Sequence, residues 1–274
     1  MPQCLRVFYN GLLRFTRNDA AIQPFNYSTL QRVKAPAFTL AETLIVIGII
    51  GVVAALTLPN LNHATGDKEK VTKVKKIYSA LTDAVDRAQV IYGGMDTWFK
   101  DLSTYEERNE RLAKRITEFM KVSKDCGFDE GCFSSAPLLC FDGEIYADNY
   151  VSSIQEQSAY MVTLADGISI KFGGGGDSNI KIGVDIDGPN KGKNQMGNDI
   201  FDFTVCVDND VAVNFNMPLN QLIPSAEPET WTGKYNKEGI DANSYATAWV
   251  IQNGNLDYLK CIDDLDWETQ TSCK

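Results

Sequence analysis

The chain has 274 residues, 44% of them hydrophobic and 23% charged, with a formal net charge of −10. That is apolar enough to build a core and too acidic for a nucleic-acid surface, which needs clustered basic side chains. The charge is uneven: residues 1–37 carry Arg6, Arg14, Arg17, Arg32 and Lys34 against Asp19, or +4, which leaves −14 for the remainder.

Residues 38–58 are nearly all apolar, and as a helix they would rise about 30 Å, the thickness of a bilayer's hydrocarbon core. A transmembrane segment is the first expectation. Positive charge before the run and acid after it would place the leader in the cytoplasm and the bulk outside. One ionisable residue interrupts the run, Glu42. An intramembrane carboxylate costs up to about 3 kcal/mol and usually faces a partner charge. No Lys or Arg follows within two turns, so that partner must come from the other side or from another chain.

Phe38 with Thr39 next, Glu42 at the fifth position from Phe38, Gly51 at the fourteenth and Pro59 at the twenty-second make a segment that resembles the N-terminus of type IV pilins and of type II secretion pseudopilins. The resemblance implies that a prepilin peptidase cuts between Ala37 and Phe38 and methylates the new Phe38 amine. It also implies that Glu42 pairs with the N-terminal amine of a neighbouring subunit during assembly. Two features depart from the pattern: Ala37 stands where the family usually has Gly, and a 37-residue leader is long. A non-Met start at Val33 would leave the short basic leader VKAPA, so residues 1–32 are read either as leader or as an upstream extension.

The implied fold is α+β: a long N-terminal helix, transmembrane in its first half, packed on an antiparallel β-sheet head. The domains are then a leader (1–37), a membrane-spanning and assembly helix (38–94) and an exported, disulfide-containing head (95–274). The implied function is a structural filament subunit, a substrate of the peptidase and no enzyme. Its partners would be homologous subunits, the prepilin peptidase, the inner-membrane assembly platform and the lipid bilayer. It would sit in the bacterial inner membrane with its head outside the cytoplasm, then in an extracytoplasmic filament. The alternative is an exported binding protein held by an uncleaved signal anchor.

Past Pro59, where a helix is expected to bend, Val71, Val74, Tyr78, Leu81, Val85, Ala88 and Tyr92 recur at three- and four-residue steps, an amphipathic stripe that Gly93-Gly94 should end. Ser103 with Glu106 reads as a capping box before a charged helix over 108–122. From Ala159 the period becomes two. YMVTL, ISIKF, IKIGVDI, FDFTVCV and VAVNF read as strands of an antiparallel meander, with turns at Ala165-Asp166-Gly167 and Asp208-Asn209-Asp210. The last apolar stretch, 248–261, reads as a closing hairpin, or a strand and short helix, around Asn253-Gly254.

Six cysteines follow the leader's Cys4: Cys126, Cys132, Cys140, Cys206, Cys261 and Cys273. An even count in an exported domain reads as a disulfide framework. They fall three and three, so complete pairing would need a bridge between the 126–140 segment and the C-terminal part. Zinc is disfavoured by the absence of a C-x-x-C pair and by a single histidine, His63, which also leaves no base for nucleophilic catalysis. Gly173-Gly174-Gly175-Gly176 lacks the Lys-Ser/Thr of a phosphate cradle and reads as a hairpin loop. The polar segment 184–201 gathers Asp185, Asp187, Asn190, Asn194, Asn198 and Asp199, hard oxygen donors suited to Ca²⁺, or else Asx residues that cap a long turn.

Overall fold

The stripe at three- and four-residue steps is helical, as expected. The computed structural model describes residues 40–174, 176–214, 217–225, 240–267 and 269–274, with the backbone alone at 54–65 and 240–245. Helix α1 (Leu40–Tyr92) buries Val71, Val74, Leu81, Val85 and Ala88, with Ile77 and Ala84 completing the face. Tyr78 is half-buried and Tyr92 stays exposed. Gly93 stops the helix: at φ +79 it turns left-handed while its N–H reaches Gln89 O at 3.0 Å.

The chain divides into two units, residues 1–54 and 55–274, each taken by itself. In the first, the described residues 40–54 are helical. The expectation of a long N-terminal helix that is transmembrane in its first half is corrected here: among the described residues no helix is long and apolar enough to cross a membrane. The apolar side chains described run from Leu40 to Val53 with Glu42 among them, a rise of about 20 Å against a hydrocarbon core of about 30 Å. Ala37 and Phe38 lie outside the described residues. Helical backbone continues through Pro59.

In the second unit the α+β architecture with an antiparallel sheet is present. Strands β1 (Val122–Gly127), β4 (Tyr160–Leu164), β5 (Ser169–Phe172), β6 (Asn179–Asp185), β7 (Ile200–Cys206) and β8 (Leu222–Pro224) form one sheet in the order β1-β4-β5-β6-β7-β8, all neighbours antiparallel. Strict alternation decides the two faces. Val162, Ile170, Phe172, Ile182, Val184, Phe201 and Phe203 join the buried face of α1 in the main core, together with Leu112 and Ile116 of α2 (Tyr105–Thr117) and Trp249 of α5 (Ile240–Asn253). The other face meets α3 (Tyr150–Glu156) and the short pair β2 (Leu138–Leu139) and β3 (Ile145–Ala147) in a smaller core around Phe133, Tyr150, Val151 and Ile154.

Several local expectations shift. The capping box lies one residue on, at Thr104 and Glu107, and Val122 begins β1 rather than ending a helix. VAVNF is not a strand: α4 (Asn209–Asn214) forms there because Asp208 Oδ1 accepts from the N–H groups of Asp210 (2.8 Å) and Val211 (3.1 Å), an N-terminal cap. The C-terminal hairpin is instead α5 and α6 (Tyr258–Cys261), with Gly254 at φ +69 closing α5 through a bond from its N–H to Val250 O.

Candidate functional site

The acidic segment between β6 and β7 is the richest polar site. Asp185 ends β6 on the side away from the main core and is 1% exposed; Asp199, just before β7, is buried as deeply. Asp185 Oδ1 accepts from the N–H groups of Asp187 (3.0 Å) and Gly188 (2.9 Å), the Asx cap that a tight reversal favours. Asp199 Oδ2 accepts from Lys193 N at 2.7 Å. Gly192 allows this closure, since a Cβ there would stand 2.8 Å from Asp199 Oδ2 and 3.2 Å from Asp187 Oδ2.

Two lysines of α1 supply the countercharge. Lys70 Nζ lies 3.0 Å from Asp199 Oδ1 and donates to Asn198 Oδ1 at 2.6 Å. Lys73 Nζ bridges Asp187 (3.3 Å) and Glu69 (3.2 Å). Burial alone would lower the Lys73 amine, but these partners outweigh it and raise it. Asp185 has no such partner. Burial pushes its carboxyl up to about 7, the Asp187 and Gly188 amides oppose the rise, and the neighbouring charges of Asp199 and Asp187 add to it.

The residues expected to hold Ca²⁺ are only partly gathered. Asp185, Asp187 and Asp199 do come together, but among the described residues no group of three or more His, Cys, Asp or Glu side chains is placed to hold a metal. Asn190 is exposed. Asn194 turns to β2, where its side chain donates to Ala136 O (3.2 Å) and its carbonyl accepts from Leu139 N (2.8 Å). Ammonium groups take the place expected of a cation.

Compared with protein-family models, curated proteins and solved structures, the chain matches none.

The cysteines divide. Cys126–Cys132 and Cys261–Cys273 are disulfides that close short loops, while Cys140 and Cys206 are free. The expectation that all six pair is therefore corrected, and no bridge joins the two halves. The reason is strand length. Cys140 follows Leu139, whose backbone bonds Asn194 and Met196 beside the Ile200 end of β7, whereas Cys206 is at the other end of that seven-residue strand. At about 3.3 Å per residue the two are roughly 20 Å apart, far beyond the ~7 Å limit for a bridge.

Glu42 is exposed in the first turn of α1. The backbone carrying His63 is helical and its side chain is outside the described residues. Gly173-Gly174-Gly175-Gly176 joins β5 to β6, as a hairpin loop should, with Gly175 outside the described residues. The Lys70 and Lys73 pairing escaped the sequence reading. Its trace is there: two lysines three residues apart, flanking the Val71 and Val74 stripe, in a chain whose one dense acidic segment needs a countercharge.

Proposed function

We propose that the chain is a structural filament subunit of the type IV pilin or type II secretion pseudopilin kind, matured by a prepilin peptidase between Ala37 and Phe38 and itself no enzyme. The observation that carries this reading is the helix at 40–53. Leu40 is 80% exposed, and Leu44, Ile45, Ile47, Ile49 and Ile50 are each at least 60% exposed, so the helix is apolar on every side. A helix hydrophobic all round is a buried helix in its working state. Copies of the same segment are the occupant that would cover it, with Glu42 pairing to the Phe38 amine of the adjacent copy. The two disulfides support a head that matures outside the cytoplasm.

Mass spectrometry of the chain from cells with an active prepilin peptidase tests maturation. A peptide beginning at Phe38 with one added methyl group is expected, and a chain that retains Lys34 and Ala37 would overturn the reading. Glu42→Ala should leave the head folded and the cleavage intact while lowering incorporation into filaments at least tenfold. Incorporation equal to the unaltered chain would remove the role given to Glu42.

A further inference from the structure

The face of the sheet turned away from α1 carries a second polar site. Lys171, Gly183 and Asp202 are cross-strand partners on β5, β6 and β7. Because Gly183 has no side chain, the Lys171 stem and the Asp202 carboxylate lie over its backbone: a Cβ there would be 2.8 Å from Lys171 Cγ and 2.9 Å from Asp202 Oδ1. Above this floor is a cavity of about 110 Å³ whose walls include Tyr150 and Ser153 of α3 and Lys181 of β6.

Its polar atoms are unusual in what they do not touch. The Tyr150 hydroxyl and Asp202 Oδ1 are both buried and make no hydrogen bond to the described residues. Tyr150 is 1% exposed and its ring is held edge-on by Phe133 at 5.5 Å. The Lys171 amine lies 5.8 Å from the Tyr150 ring centroid. Neither Lys171 nor Lys181 is within ion-pair distance of a described carboxylate. An uncompensated buried hydroxyl is costly and an unsatisfied carboxylate oxygen costlier, so two such atoms on one cavity wall favour a ligand that bridges them.

We propose that this cavity binds a compact oxyanion that also carries a hydroxyl, the chemistry shared by a two-carbon hydroxy acid and by hydrogen phosphate. The lining sets each requirement. Two lysines and one aspartate give a net charge of +1 to be neutralised. Lys171, Lys181 and the Tyr150 hydroxyl are donors and need acceptor oxygens. Asp202 Oδ1 is an acceptor and needs an O–H. A cavity of about 150 Å³ accepts benzene, so the smaller space here suits about five heavy atoms. Burial lowers the Lys171 amine, with Lys181 acting in the same direction and Asp202 opposing, and burial together with the charges of Asp202 and Asp185 holds Tyr150 protonated as a donor.

The test uses the full chain, titrated by calorimetry and thermal shift with glycolate, inorganic phosphate, acetate and chloride at fixed ionic strength. Glycolate or phosphate should bind saturably at one site per chain, the tighter of the two naming the source, and acetate, which lacks the hydroxyl, should bind at least tenfold more weakly. Tyr150→Phe removes only the unpartnered hydroxyl, so the unliganded variant should melt no lower than the parent while its affinity falls about tenfold. Lys181→Met, at the rim, should abolish saturation. Absence of a saturable site for both anions, or binding unchanged in Tyr150→Phe and Lys181→Met, would overturn the proposal.

Discussion

Asp185 shows how one carboxyl can set the pH response of the 55–274 unit. Its ordinary value is 3.8 and its folded value about 7, so between those limits the folded state holds a proton that the unfolded chain has released. Stability from this group is complete below pH 4 and is lost as pH rises through 7. Lys70 and Lys73 neutralise Asp199 and Asp187, leaving the Asp185 charge uncompensated at high pH. At about 1.4 kcal/mol per pKa unit, the effect is of order 4 kcal/mol at most. Asp185→Asn keeps an acceptor for the Asp187 and Gly188 amides and has no charge to bury. Urea melts should find it equal to the parent at pH 4 and more stable by a few kcal/mol at pH 8; equal stability at pH 8 would mean the carboxylate is solvated. Asp185, Asp187 and Asp199 were legible in the sequence as a cluster. Their partners on α1 were not, because an ion pair more than one hundred residues apart leaves no local pattern.

Elements were legible in proportion to how strictly they alternate. Strands β4 to β7 follow directly from the period of two, because one side of each faces the main core. β1 escaped because it is a mostly exposed strand of polar residues at the sheet edge, and α4 because the Asp208 cap outweighed the β preference of VAVNF. In α5 the run ATAWV, residues 246–250, has no period to read, being buried throughout, and an Asn-Gly pair that suggests a hairpin turn serves as a helix end. Two outcomes check this local physics. Thr104→Ala removes the hydroxyl that accepts from Glu107 N and should cost about 1 kcal/mol. Peptide mapping after thiol alkylation should label Cys140 in the native protein and Cys206, fully buried, only after unfolding; protection of both under denaturing, non-reducing conditions would mean a third bridge.

Across the 55–274 unit, one core joins α1 from Val71 onward to α2, five strands and α5. Leu81, fully buried there, should cost about 2–5 kcal/mol when changed to Ala, and circular dichroism of the helices and tryptophan fluorescence should lose their signals together, since no part of the core stands alone. The locality of the two disulfides has a mechanical consequence. They bypass only 6 and 12 residues of chain, so under tension nearly the whole contour of the unit is free to pay out. At about 3.6 Å per residue the bridged loops have a contour of roughly 65 Å, of which the bridges already span 6.1 and 5.9 Å between Cα atoms, so reduction should lengthen the stretched unit by roughly 50 Å. Load between the two ends of the unit is borne by packing, hydrogen bonds and ion pairs such as Lys70–Asp199, with no covalent cross-link between them among the described residues. A unit so built yields along nearly its whole length under a pull, where a bridge between its halves would have held back the chain between them.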